Sequence, residues 1–144
     1  MYKHILIATD GSELAAKAVA TGLALAKQLK AKVTAVTVTE PWTAMMVGEP
    51  AFAFPIEEYE KASAENAARI LEGVANEAKK QEMACDTVHV TDFPADGIIA
   101  TAKSKGCDLI VMASHGRKGI ARVLLGSQAT KVLTLSTVPV LICR

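Results

Sequence analysis

The chain has 144 residues, 16 Lys and Arg against 15 Asp and Glu for a net charge of +1, and is 51% hydrophobic but only 4% aromatic. That length fits one domain, residues 1–144, and so few aromatics call for a core of Val, Ile, Leu and Ala, as in a sheet buried between helices. The balanced charge lacks the basic excess of a non-specific nucleic-acid binder or a membrane-surface protein, so neither is an expected partner.

Tyr2 to Thr9 (YKHILIAT) reads as a first strand ending at Asp10-Gly11-Ser12, where Ser12 can cap a helix running to about Leu29 through Ala15, Val19, Leu23 and Ala26. The opening apolar run is too short for a signal peptide, and no run approaches the roughly 18 to 20 residues of a membrane span, so a cytoplasmic protein is expected. Val33 to Val38 reads as a second strand. Thr39 to Pro55 carries Pro41, Gly48, Pro50 and Pro55 and reads as a long loop. Ile56 to about Lys80, rich in Glu, Ala and Lys, has the apolar spacing of a long amphipathic helix.

Asp86 to Thr91 reads as a third strand, and Pro94 to Lys105 as a helix with proline near its start and Gly106 at its close. Asp108 to Ala113 (DLIVMA) is the most continuously apolar strand. After it come the loop SHGRKG, a helix from about Ser127 to Leu135, and a last strand, Val138 to Cys143. Cys85, Cys107 and Cys143 are odd in number and lack C-x-x-C spacing, so they read as buried structural thiols. His4 and His89 have no metal-ligand spacing, and no protein-ligand metal site is expected.

Strict alternation of apolar strands with helices argues for a doubly wound α/β fold, a parallel sheet covered on both faces. Ligands of such sheets sit beyond the carboxyl ends of the strands where the winding reverses. With a five-stranded order of 3-2-1-4-5, that point lies between strands one and four. The Asp10-Gly11-Ser12 turn would then stand beside the loop after Met112.

Those two turns carry the chemistry. The loop from Ser114 to Gly126 joins a buried strand to a helix start through small residues, a layout that either binds an anionic group at unpaired N–H donors or simply turns the chain. Asp10 can accept from ribose hydroxyls or hold an Asx turn. Gly116 and Gly126 permit close backbone approach, and Ser127 brings a hydroxyl to a helix N-terminus, as a phosphate contact or a cap. Arg117, Lys118 and Arg122 can neutralise phosphates or be solvated surface charges. His115 is a proton shuttle or a loop hydrogen-bonding group.

Ala8-Thr9-Asp10-Gly11-Ser12, the SHGRKG loop, Leu124-Leu125-Gly126-Ser127 and the closing Val138-Pro139-Val140-Leu141-Ile142 together resemble the universal stress protein family over essentially the whole chain. The resemblance implies a five-stranded parallel sheet, usually dimeric, in a family with one branch that binds ATP or AMP and another that binds no nucleotide. The nucleotide-binding branch has the pattern G-x-x-G, nine residues, then G with S or T. Here Gly116, Arg117 to Leu125 and Gly126-Ser127 match, and Ala113 stands at the first glycine, where a methyl costs little at negative φ but clashes if φ is positive or if a ribose or phosphate packs against the Cα. Gly119 does not replace it.

Carried over residue by residue, the resemblance puts Ala8, Thr9 and Asp10 near the adenosine, with Asp10 toward the ribose, and Val38, at the end of strand two, against adenine through its backbone. Met112 and Ala113 would line base and ribose; Gly116, Gly126, Ser127, Gln128 and Ala129 would surround the phosphates. Mg²⁺ could bridge those phosphates without a protein cage. The function expected is an adenine-nucleotide-binding regulatory module of the stress response, not an enzyme, since no residue has a clear water-activating role and the G-x-x-x-x-G-K-[ST] loop is absent.

The alternative is a nucleotide-free interaction protein acting through a dimer surface and the loop around Trp42, Met45, Met46, Phe52 and Phe54 on a protein partner the sequence does not identify. A receiver domain would need several acidic residues converging on a metal, and only fold analogy suggests a flavoprotein. The apolar closing strand, without lysine gatekeepers, predicts a homodimer through the C-terminal sheet edge.

Overall fold

The computed structural model describes residues 1–45, 48, 55–116 and 125–144. Met46, Phe52, Phe54, Arg117, Lys118, Gly119 and Arg122, singled out above, lie outside the described residues. In chain order the elements are β1 (His4–Ala8), α1 (Glu13–Leu29), β2 (Lys32–Thr39), α2 (Trp42–Met45), α3 (Ile56–Lys80), β3 (Asp86–Thr91), α4 (Pro94–Lys105), β4 (Leu109–Ala113), α5 (Ser127–Leu135) and β5 (Val140–Cys143). The strands form one parallel five-stranded sheet in the order β3-β2-β1-β4-β5, the order expected.

Alternation of side chains along each strand divides the core between the two faces of the sheet. Ile5, Ile7, Val33, Ala35, Leu109 and Val111 pack under α1 and α3 with Leu23, Leu71 and Val74. Leu6, Val36, Ile110 and Met112 pack under α4 and α5 with Ile98, Ala102 and Val132. The small residues supply close approach: a β-carbon on Gly22 of α1 would lie 2.7 Å from Ile7, and one on Gly97 of α4 would lie 2.9 Å from Val38. Burial raises the Cys107 thiol, with the Asp108 carboxylate adding to it, to a pKa of about 11, and also raises Cys85; all three cysteines are free, Cys107 and Cys143 buried as expected but Cys85, beside the start of β3, only partly buried.

Helix ends follow their local chemistry. The Ser12 side chain accepts the Ala15 N–H at 3.2 Å to cap α1, and Gly106 adopts the left-handed conformation, φ 69°, that stops α4.

Several boundaries and one cap differ from the sequence reading: β1 ends at Ala8 and not Thr9, and β2 runs from Lys32 to Thr39 and not from Val33 to Val38. The first strand begins at His4, not Tyr2, because the Asp108 carboxylate takes the N–H groups of Lys3 (3.2 and 2.9 Å) and His4 (3.0 Å). Asp108, so occupied, precedes β4 instead of opening it. The last strand begins at Val140, not Val138, because Ser136 Oγ accepts the Val138 N–H at 3.0 Å and donates to the Val138 carbonyl at 2.7 Å. The presumed loop after β2 contains the helical turn α2, since Pro41 can precede a helix and its carbonyl accepts the N–H groups of Ala44 and Met45. Gly126, not Ser127, holds the cap position of α5, leaving Ser127 as its first helical residue.

Candidate functional site

The winding reverses between β1 and β4. β1 leads through α1 and α3 outward to β3, and α4 then carries the chain back across the sheet to β4. At the carboxyl ends of β2, β1 and β4 a cavity of about 500 Å³ opens, a size suited to a small-molecule ligand. All the residues that the resemblance assigned to the nucleotide line it. Ala8, Thr9 and Asp10 come from the end of β1 and Val38 from β2. Met112, Ala113 and Gly116 come from β4 and the turn after it, and Gly126, Ser127, Gln128 and Ala129 from the start of α5.

The first turn is built by short side-chain bonds. Asp10 Oδ1 accepts the Ser12 N–H at 3.0 Å, and Thr9 Oγ1 accepts the Gly11 N–H at 3.1 Å. The Asx turn weighed against a ligand role for Asp10 is therefore present, and it uses Oδ1. The second oxygen faces the opposite wall: a β-carbon on Gly116 would stand 2.8 Å from Asp10 Oδ2. Glycine at 116 is thus a requirement of space, since its φ is not in the left-handed region.

The second turn is fastened at Ser114. Its N–H donates to the Cys143 carbonyl at 2.8 Å, and its own carbonyl accepts the Gly126 N–H at 2.7 Å. A β-carbon on Gly126 would lie 3.0 Å from that carbonyl oxygen and 3.5 Å from His115 Cα, so residue 126 is held against the strand end with no room for a side chain. The approach brings the first turn of α5, whose N–H groups lack intrahelical acceptors, to the cavity wall. Ser114 Oγ and His115 Nδ1 lie 3.3 Å apart, so His115 has the local hydrogen-bonding contact weighed for it.

Ala113, at the position of the absent motif glycine, closes β4 opposite Cys143 and has no positive φ. Its methyl therefore carries no backbone strain and forms part of the buried wall. Gln128 Oε1 accepts the Ala95 N–H at 3.1 Å, tying the start of α5 to the first turn of α4. Thr101 Oγ1, further along α4, donates to the Gly97 carbonyl at 2.7 Å.

Val36, Glu40, Pro94, Ile98, Ala15, Ser114 and His115 complete the lining. Of these, Glu40 was legible and missed: it stands two residues beyond Val38, just past the end of β2 at Thr39. Pro94 and Ile98 arrive from α4 and need the tertiary fold. Among the described residues, no three His, Cys, Asp or Glu side chains cluster to hold a metal ion, and no helix is long and apolar enough to cross a membrane.

A parallel sheet with this reversal, and a cleft at its strand ends walled by small residues, defines a doubly wound α/β protein with a ligand-sized crevice. Residues 1–144 match the profile of the Universal stress protein family, and the chain belongs to that family. The universal stress protein YxiE of Bacillus subtilis is 34% identical, with all of both chains covered. The solved structure of MJ0577, a universal stress protein of Methanocaldococcus jannaschii, superposes with a TM-score of 0.85 at 30% identity, over 99% of this chain and 96% of that one. A universal stress protein crystallised in complex with cAMP superposes with a TM-score of 0.74 at 27% identity, over 99% and 97% of the two chains.

Proposed function

We propose that this chain is a regulatory module of the stress response that binds an adenine nucleotide, ATP or AMP, in the cleft between β1 and β4 and does not turn it over. The observation that carries the reading is the convergence of Asp10, Gly116 and the Gly126-Ser127 helix start on one cavity. In this reading Asp10 accepts from ribose hydroxyls, and the α5 N-terminus meets the phosphates, with Ser127 offering its hydroxyl. Ala8, Thr9, Val38, Met112 and Ala113 line base and ribose, while Gly116, Gly126, Gln128 and Ala129 surround the phosphate end.

The fit is one of space and donors: two glycines leave backbone bare at the phosphate end, and the apolar wall of Val36, Val38 and Ile98 suits a planar base. The relative in complex with cAMP supports an adenine ligand for a chain of this fold. Mg²⁺ would bind through the phosphates. Occupancy would change loop order or the binding of a protein partner in the cytoplasm.

A second reading, an interaction dimer without nucleotide, is favoured by Leu133, Leu135 and Leu141, which are exposed on α5 and the edge strand β5. Both readings share a homodimer through that edge. Isothermal titration with ATP and Mg²⁺, AMP and cAMP, on protein checked for co-purified nucleotide, separates them. One saturable site per chain supports the module; no heat and no thermal stabilisation at millimolar ligand supports the interaction dimer.

A further inference from the structure

We infer that the trough between α1 and α3, on the opposite face of the sheet from α4 and α5, binds one linear aliphatic amine, its chain laid between the helices and its ammonium group at Glu77. Both helices leave the carboxyl end of a strand and lead to the start of the next parallel one, so they run in the same direction over one face. Between them lies a second cavity, of about 320 Å³. Among the described lining residues it shares only Thr9 with the nucleotide cleft.

Small residues make the room. Side chains of packed helices ordinarily interdigitate. Here Ala16 and Ala20 of α1 and Gly73 of α3 line the walls, all three exposed, and a β-carbon on Gly73 would meet nothing within 4 Å. Buried Val19, Leu23 and Val74 form the floor.

Length and girth select the ligand. The lining runs from Ser12 to Leu23 on α1 and from Ile70 to Gln81 on α3, a helical rise of roughly 16 Å on each side. Spread over that length, the volume corresponds to a cross-section of roughly 20 Å², the girth of one extended hydrocarbon chain. None of the described lining residues is aromatic, so a ring finds no stacking partner.

Charge sets the head group. At the α1 start the N–H groups of Gly11, Ser12 and Ala15 are already held by Thr9 Oγ1, Asp10 Oδ1 and Ser12 Oγ, so a carboxylate head finds those donors taken. Toward the other end stands Glu77, the one charged side chain among the described lining residues. It lies in the last turn of α3, where the helix dipole also favours a cation. Glu77 now pairs with Lys80 at 3.1 Å, both side chains exposed, and such a pair contributes little, so an incoming ammonium can share or take the carboxylate.

The test uses n-octylammonium and octanoate, probes of one chain length and opposite charge. Each is titrated near neutral pH into the wild-type chain, Gly73→Leu and Glu77→Gln, with thermal midpoints confirming that all are folded. One octylammonium per wild-type chain is expected, with no saturable binding of octanoate over the same range. Gly73→Leu, whose side chain occupies the trough, is expected to abolish octylammonium binding; should it fail to fold, Ala20→Leu fills the same space. Glu77→Gln is expected to weaken octylammonium about threefold to fivefold, the scale of an exposed ion pair. No saturable binding to wild type, equal binding of the two probes, or an octylammonium affinity unmoved by Gly73→Leu or by Glu77→Gln overturns the inference. Neither residue lines the nucleotide cleft, so that failure leaves the nucleotide reading standing.

Discussion

Asp10 and Gly116 face each other in the cleft: a β-carbon on Gly116 would stand 2.8 Å from Asp10 Oδ2, while Asp10 Oδ1 is held by the Ser12 N–H at 3.0 Å. The carboxylate cannot swing aside without giving up its turn. Gly116→Ala is therefore expected to displace Asp10 and weaken nucleotide binding about tenfold, the loss of one charge-assisted hydrogen bond. Residue 116 is exposed and outside the core, so the thermal midpoint is expected to move little. Calorimetry beside a melting curve checks both halves.

Gly126 differs because backbone surrounds it. Its added β-carbon would sit 3.0 Å from the Ser114 carbonyl oxygen, the same oxygen that accepts the Gly126 N–H at 2.7 Å. Neither atom belongs to a flexible side chain. Gly126→Ala is expected to cost about 1–3 kcal/mol of stability as well as affinity, because the α5 start must retreat from β4. Urea unfolding with an unchanged m-value would show it, and an unaltered midpoint would contradict it.

Two helical glycines are expected to respond in opposite directions. Alanine in a helix gains roughly 1 kcal/mol over glycine. At Gly73 of α3 a β-carbon meets nothing within 4 Å, so Gly73→Ala is expected to stabilise by about that amount. At Gly22 the β-carbon lies 2.7 Å from two atoms of fully buried Ile7, and overpacking of about 1–3 kcal/mol outweighs the helical gain. Thermal unfolding of the two variants gives shifts of opposite sign.

Acid sensitivity is expected at the start of β1. Burial works to raise the Asp108 carboxyl, but the N–H groups of Lys3, His4 and Asp108 itself, with the nearby His4, together hold it below the usual aspartate range. A carboxyl lowered by folding contributes stability that is complete above its unfolded pKa, near 3.9, and is lost as pH falls through the folded value. Asp108→Asn is expected to flatten the fall in stability below about pH 4. Denaturation midpoints from pH 6 to pH 2 would measure it; parallel curves for variant and wild type would contradict it.

Sequence patterning carried the alternation of strands with α3, α4 and α5, because apolar strands and proline or glycine stops act within a few residues, whereas the strand order 3-2-1-4-5 was assumed for the fold class and is set by contacts far apart in the chain. The boundaries it misplaced were set from far away: Asp108 caps the chain before His4, and the Ser136 turn shortens β5. In the cleft, Asp10, Gly116 and Gly126 were legible from local type. The bond from Ala95 to Gln128, and the packing of Pro94 and Ile98 beside Val38, depend on how α4 crosses the sheet. Ala113 illustrates the limit most plainly, since only its extended backbone shows that the missing glycine brings no strain.

The central claim is that Asp10 and the α5 start together hold an adenine nucleotide, and titration of ATP with Mg²⁺ into wild type and the Asp10→Ala, Ser127→Ala double variant tests it most directly. One saturable site per wild-type chain, with affinity at least tenfold weaker in a folded double variant, is the expected result. Equal affinity in the two proteins, or no binding by wild type at millimolar nucleotide, would contradict it.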